Sequence, residues 1–169
     1  MGGKDSAQPR YIHTKLCDIT NTIFDKLDNA VYNYTKDDGK NIEPIYYVPI
    51  IPMILVNGTS GIGTGWSTDI PCFSPVDIID NIKRYMEGKE LNELSPYYKG
   101  FKGQIIKIDD TTYKTKGIYE KYENKIVIKE LPIGIWTEKY KEFLESITID
   151  NKNKQKKQII KYYNTYCTD

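Results

Sequence analysis

Arginine is nearly missing from this chain: Arg10 and Arg84 are the only two among 24 basic residues. Acidic residues number 23 and the formal net charge is +1, so the strongly basic balance that marks many nucleic-acid-binding domains is absent. A nucleic-acid contact would have to be local, or draw its positive field from elsewhere in a larger protein. Cysteine is sparse too. Cys17, Cys72 and Cys167 are odd in number, far apart and never in a C-x-x-C pair, which argues against a disulfide framework or a zinc site and fits a reducing compartment. No apolar run reaches membrane-spanning length, because the stretch Tyr46–Val56 is broken by Pro49 and Pro52. The polar opening Met1-Gly2-Gly3-Lys4-Asp5 has no signal-peptide character. What is present is ordinary for a globular protein: 39% hydrophobic and 28% charged residues over 169 positions, enough for one domain or two small lobes.

Periodicity gives an α+β chain. Gly2 to Pro9 reads as a loop. From Tyr11 to Leu27, the residues Leu16, Ile19, Ile23, Phe24 and Leu27 recur at spacings of three and four, which predicts an amphipathic helix over most of that stretch. Asp37-Asp38-Gly39-Lys40 is a turn. Two extended pieces follow, Tyr46–Val48 and Ile50–Val56, and then a tight turn at Asn57-Gly58. Glycines 58, 61, 63 and 65 predict a permissive loop. Ser74-Pro75-Val76-Asp77 is a helix start, with Val76, Ile79, Ile82 and Met86 as the expected buried stripe and Gly88 as the stop. Beyond Lys102 the period falls to two. Gln104–Ile108, Thr112–Tyr119 and Lys125–Glu130 read as an antiparallel meander turning at Asp109-Asp110 and Glu123-Asn124. A helix from Thr137 is expected to bury Tyr140, Phe143, Leu144 and Ile147, and Lys152–Lys157 to form a solvated loop. A boundary is placed near Trp66.

Several residues could carry chemistry. A phenol is a poor nucleophile at neutral pH unless its proton is taken or its anion stabilised. Tyr11 has beside it Arg10, a fixed cation able to hold a phosphate through two parallel hydrogen bonds. Tyrosine attack on a phosphodiester conserves the bond for resealing. Equally, Tyr11 is one of 15 tyrosines and could simply pack. Ile62 is apolar, β-branched and flanked by glycines; it could enter a duplex as a wedge or tuck back onto the core. The same glycines loosely resemble a dinucleotide fingerprint, but no helix pattern starts among them. His13, the lone histidine, could hold a proton or touch a phosphate, or be partly buried without a role. Asp37 and Asp38 lack a nearby third acid, so no metal site is expected.

Longer stretches are more specific. Gly2-Gly3-Lys4-Asp5-Ser6-Ala7-Gln8-Pro9-Arg10-Tyr11-Ile12 resembles the segment around the active-site tyrosine of the eukaryotic and viral branch of type IIA DNA topoisomerases. Residues 43–58, 61–66, 98–103, 128–132 and 136–137 resemble the same family in one collinear order. Gln8 stands where serine is common in this motif, and His13 where an aromatic residue is frequent.

The resemblance implies a fold and a set of roles. Residues 1–66 would end a winged-helix-like region, and 67–169 would be the first part of an α/β tower domain. Tyr11 would attack the scissile phosphate and stay joined to the 5′ end, with Arg10 on that phosphate. Ile62 would enter the duplex, and Lys4, Gly61 and Gly63 would contact DNA. Magnesium and ATP would be bound by other regions of a homodimeric enzyme, in the nucleus or a viral replication compartment. The chain would be a fragment, inactive by itself. The alternative function is a catalytically silent DNA-binding or assembly module of the same fold.

Overall fold

Helix and strand formation is local throughout the chain. The computed structural model describes residues 7–148 and 159–166. They fall into two compact units: residues 13–100, and the described residues up to Ile12 together with those from Phe101 onward. The architecture is mixed, with four short helices and four two-stranded antiparallel pairs among the described residues.

In the unit of residues 13–100, the long helix expected over Tyr11–Leu27 does not form. Only α1, Thr20–Ile23, is helical, with a 3-10 turn at Lys26–Ala30. Threonine and asparagine are poor helix formers, Ile19 cannot cap α1, and the Asp25 carboxylate accepts the Leu27 N–H at 2.9 Å to begin a separate turn. Leu16, Ile19 and Leu27 are exposed. Phe24 instead meets Tyr47 edge-on, and Tyr47 meets Tyr32 in the same way, each with centroids 5.8 Å apart. The Tyr32 hydroxyl accepts from the Val48 amide, and Ile50 N–H donates to the Ile23 carbonyl. Strands β1, Tyr34–Asp37, and β2, Lys40–Pro44, form a hairpin that the sequence reading missed. Its turn is the expected one: Asp38 (φ 46°) and Gly39 (φ 74°) are both left-handed, as a twisted two-residue hairpin requires.

The extended reading of Ile50–Val56 is also corrected. Helix α2 occupies Met53–Asn57, entered through Pro52 at φ −68°, a value already suited to a helix start. Asn57-Gly58 is therefore a helix end. Helix α3, Pro75–Met86, starts and stops as expected: the Ser74 hydroxyl faces the Asp77 N–H at 3.5 Å, and Gly88 follows at φ 68°. Its buried face is different. Val76 and Met86 are exposed and Ile79 is partly so, while Ile78 (2% exposed) and Asn81 are buried. Asn81 causes the difference. Its amide donates to the Asn92 carbonyl and accepts the Asn92 N–H, both at 2.8 Å, so a polar residue is satisfied on the inward face. Arg84 Nε secures the same returning loop through the Glu90 carbonyl at 2.7 Å.

In the other unit the turns at 109–110 and 123–124 hold, but the three-stranded meander becomes two hairpins. Strands β5, Gln104–Lys107, and β6, Tyr113–Lys116, form the first; β7, Ile118–Lys121, and β8, Ile126–Glu130, form the second. The run expected over Thr112–Tyr119 breaks at Gly117, whose α-carbon lies against the Glu130 carbonyl with no space for a side chain. Glu130 also accepts the Lys102 N–H with both carboxylate oxygens, at 3.1 and 3.2 Å. Helix α4 spans Thr137–Ile147. Tyr140, Leu144 and Ile147 are half-buried, but Phe143 is 50% exposed, its ring tilted against Tyr140. Lys152–Lys157 lies outside the described residues.

Candidate nucleic-acid interface

Pro9 opens a single 3-10 turn, Pro9–Tyr11, closed by Tyr11 N–H to the Gln8 carbonyl at 2.9 Å and Ile12 N–H to the Pro9 carbonyl at 3.1 Å. The turn leaves both candidate side chains outside. Tyr11 is 71% exposed, and the Arg10 guanidinium carbon lies 4.9 Å from its ring centroid. A cation over a phenol ring is attracted by the ring quadrupole while its N–H groups stay free for oxygen acceptors. Arg10 and Tyr11 are thus brought together as an exposed pair of anion binder and nucleophile. His13 is exposed and makes no hydrogen bond among the described residues, and Lys4 lies outside them.

The glycine-rich segment is not a loop. Strands β3, Thr59–Gly63, and β4, Trp66–Ile70, pair antiparallel in an unbroken register from Thr59↔Ile70 to Gly63↔Trp66. Thr64-Gly65 makes the turn, with Gly65 at φ 83°. Strand alternation puts Gly61, Gly63, Thr68 and Trp66 on one face and Ser60, Ile62, Ser67 and Asp69 on the other. Ile62 is 95% exposed, which overturns the alternative that it tucks onto the core. Gly61 and Gly63 flank it differently. A Cβ at Gly61 would meet nothing within 4 Å, whereas one at Gly63 would lie 2.9 Å from Trp66 Nε1. The sequence reading passed over Trp66. Its signal was the spacing Gly63-Thr64-Gly65-Trp66, in which a two-residue turn makes Gly63 and Trp66 cross-strand partners.

The hairpin also removes the nucleotide cradle, since no helix follows until Pro75. Asp37 and Asp38 sit at a hairpin tip, and no group of three His, Cys, Asp or Glu that could hold a metal occurs among the described residues. These residues therefore do not fit the magnesium or ATP implied by the resemblance, and no step below runs through either.

Similarity now decides the family. The family model for the DNA gyrase/topoisomerase IV A-type polypeptide matches residues 1–169. The chain belongs to that family. Eukaryotic enzymes are among its relatives: the DNA topoisomerase 2 of Meyerozyma guilliermondii is 50% identical over 85% of this chain, and that of Plasmodium falciparum is 50% identical over 90%. These alignments cover 10% and 11% of the relatives, so the chain spans about a tenth of their length. The crystal structure of the Plasmodium falciparum topoisomerase II DNA-binding, cleavage and re-ligation domain superposes with a TM-score of 0.78 at 50% identity, covering 86% of this chain and 20% of that one. The mixed fold with antiparallel pairs is thus that of a type IIA topoisomerase cleavage region. No helix among the described residues is long and apolar enough to cross a membrane.

Proposed function

We propose that the full-length protein carrying this chain breaks and reseals double-stranded DNA, with Tyr11 as the nucleophile. Tyr11 Oη loses its proton and attacks the scissile phosphorus. The P–O3′ bond breaks, the 3′ oxygen leaves as a hydroxyl after taking a proton, and the 5′ phosphate stays on Tyr11. Attack by the same 3′ hydroxyl reverses the step and reseals the strand. Arg10 holds the non-bridging oxygens, where charge grows in the transition state. The observation that carries this reading is the Arg10–Tyr11 pair itself, exposed on one turn with the cation already at the ring.

Ile62 is the wedge that opens a base step and bends the duplex, supported by its 95% exposure at a strand position beside the hairpin tip. Gly61, Gly63 and Lys4 are assigned to the same DNA contact. Residues 1–66 end a winged-helix-like region and 67–169 begin a tower domain. The whole protein acts as a homodimer in the nucleus, passing one duplex through another with ATP and magnesium.

The test uses the full-length protein and a radiolabelled duplex, trapped with detergent during cleavage. Wild type is expected to give a covalent adduct that yields phosphotyrosine on digestion, and Tyr11→Phe to give none. An adduct formed by Tyr11→Phe would overturn the assignment in favour of a silent DNA-binding module at this turn.

A further inference from the structure

The two glycines beside Ile62 look equivalent in the sequence and are not equivalent in space. Gly61 faces open solvent on its Cβ side. Gly63 is covered: an added Cβ would lie 2.9 Å from Trp66 Nε1 and 3.3 Å from both Cδ1 and Cε2. Three atoms of the five-membered ring therefore lie over one α-carbon. The backbone of Gly63 lies outside the left-handed range, so the demand at this position is for space and not for an unusual conformation. Trp66 is also 73% exposed, so the indole is not there to fill a core.

We propose that Trp66 is a positioning residue for Ile62, using Gly63 as its seat. The indole bridges the last cross-strand pair before the Thr64-Gly65 turn. Glycine in a strand contributes no side chain and leaves the backbone loose, and an aromatic ring laid across it restores the lost packing. Ile62 is the next residue along β3, on the opposite face. Clamping the Gly63–Trp66 pair from one face fixes the direction of Ile62 on the other, because strand alternation ties the two. A hairpin tip with little else packed on it would otherwise twist when a base pair pushed against Ile62. This role rests on the wedge reading of Ile62 and adds a residue to it.

The experiment compares variants of the full-length protein, reading DNA bend angle by fluorescence transfer at saturating DNA, cleaved fraction, and melting temperature. Trp66→Ala and Gly63→Ala are each expected to lower the cleaved fraction about tenfold with a smaller bend, since misplacement of a positioning group by about an ångström is enough. Gly61→Ala should stay close to wild type, and Trp66→Phe should keep most of the bend because a ring still covers Gly63. The double variant Gly63→Ala/Trp66→Ala should be no worse than Trp66→Ala alone, since the added methyl then meets open space. Equal losses in Gly61→Ala and Gly63→Ala, or losses that multiply in the double variant, would overturn the positioning role. Ile62→Ala run alongside separates the two layers. Normal bending in Ile62→Ala removes the wedge and the positioning role together. Impaired bending in Ile62→Ala with the wrong glycine pattern removes the positioning role alone.

Discussion

The Arg10–Tyr11 turn and the β3–β4 hairpin hold their exposed side chains in opposite ways. The turn is minimal: two backbone hydrogen bonds and one cation–ring contact hold a reactive phenol. The hairpin is elaborate: five cross-strand pairs and an indole laid over a glycine hold an inert isoleucine. On the proposed function, the contrast follows from what each side chain meets. A nucleophile and its anion binder receive their final alignment from the phosphate they share. A wedge receives nothing from the stack it enters except resistance, so its rigidity has to come from its own scaffold.

Arg10→Lys should break the economy of the turn most sharply. Lysine keeps the charge but loses the planar fork that spans two phosphate oxygens. Cleavage should fall by roughly tenfold to a hundredfold without vanishing. Single-turnover cleavage at saturating DNA measures it, and an unchanged rate would mean that charge alone suffices at this position.

Ile62→Ala probes the hairpin. Bending and cleavage should drop several-fold while stability changes by less than about 0.5 kcal/mol, because a residue this exposed has little native packing to lose. A drop of about 2–5 kcal/mol with normal bending would mark a core residue. Asn81→Ala supplies the reverse case in the same unit. It removes both bonds to Asn92 and should cost about 1–3 kcal/mol in a denaturant melt. Bending by the folded variant should be unchanged.

The smallest effect contrasts two phenols. Tyr98, unlike the exposed Tyr11, is partly buried, and its pKa is raised by that desolvation first and by nearby Cys72 and Asp69 next. A raised folded value means that the folded state keeps its proton longer than the unfolded chain. The associated stability is intact below the ordinary tyrosine value near 10 and is lost as pH rises through the raised value. Difference absorbance between wild type and Tyr98→Phe should therefore titrate above the ordinary range, and Tyr98→Phe should lose less stability in strong alkali.

The sequence reveals these regions unequally, for physical reasons. Ser74, Pro75 and Gly88 bound α3 correctly because caps act through atoms close in the chain. The turns at 38–39, 109–110 and 123–124 are legible for the same reason. The long helix over Tyr11–Leu27 fails because apolar spacing cannot outweigh uncapped, β-branched residues when little of that face is buried. The α3 face fails because Asn81 is satisfied by a backbone eleven residues away, which periodicity does not register. The Arg10–Tyr11 pair is adjacent in sequence and so visible at once. Its exposure, and the strand that carries Ile62, come only with the coordinates, because four glycines in eight residues disguise a hairpin as a loop.

Asn81 has one more consequence, for the alphabet of residues its site will accept. The position requires one donor and one acceptor on adjacent atoms, at a reach set by the N–H and C=O of a single residue. Aspartate keeps the acceptor but turns a second acceptor toward the Asn92 carbonyl. Serine is too short, glutamine carries the pair one methylene too far, and leucine leaves both backbone groups without partners. Ile78, also buried on this helix, could exchange for valine or leucine at modest cost. In a large library of single substitutions selected for folding alone, the polar letter in the middle of α3 should vary less than the buried isoleucine three positions before it.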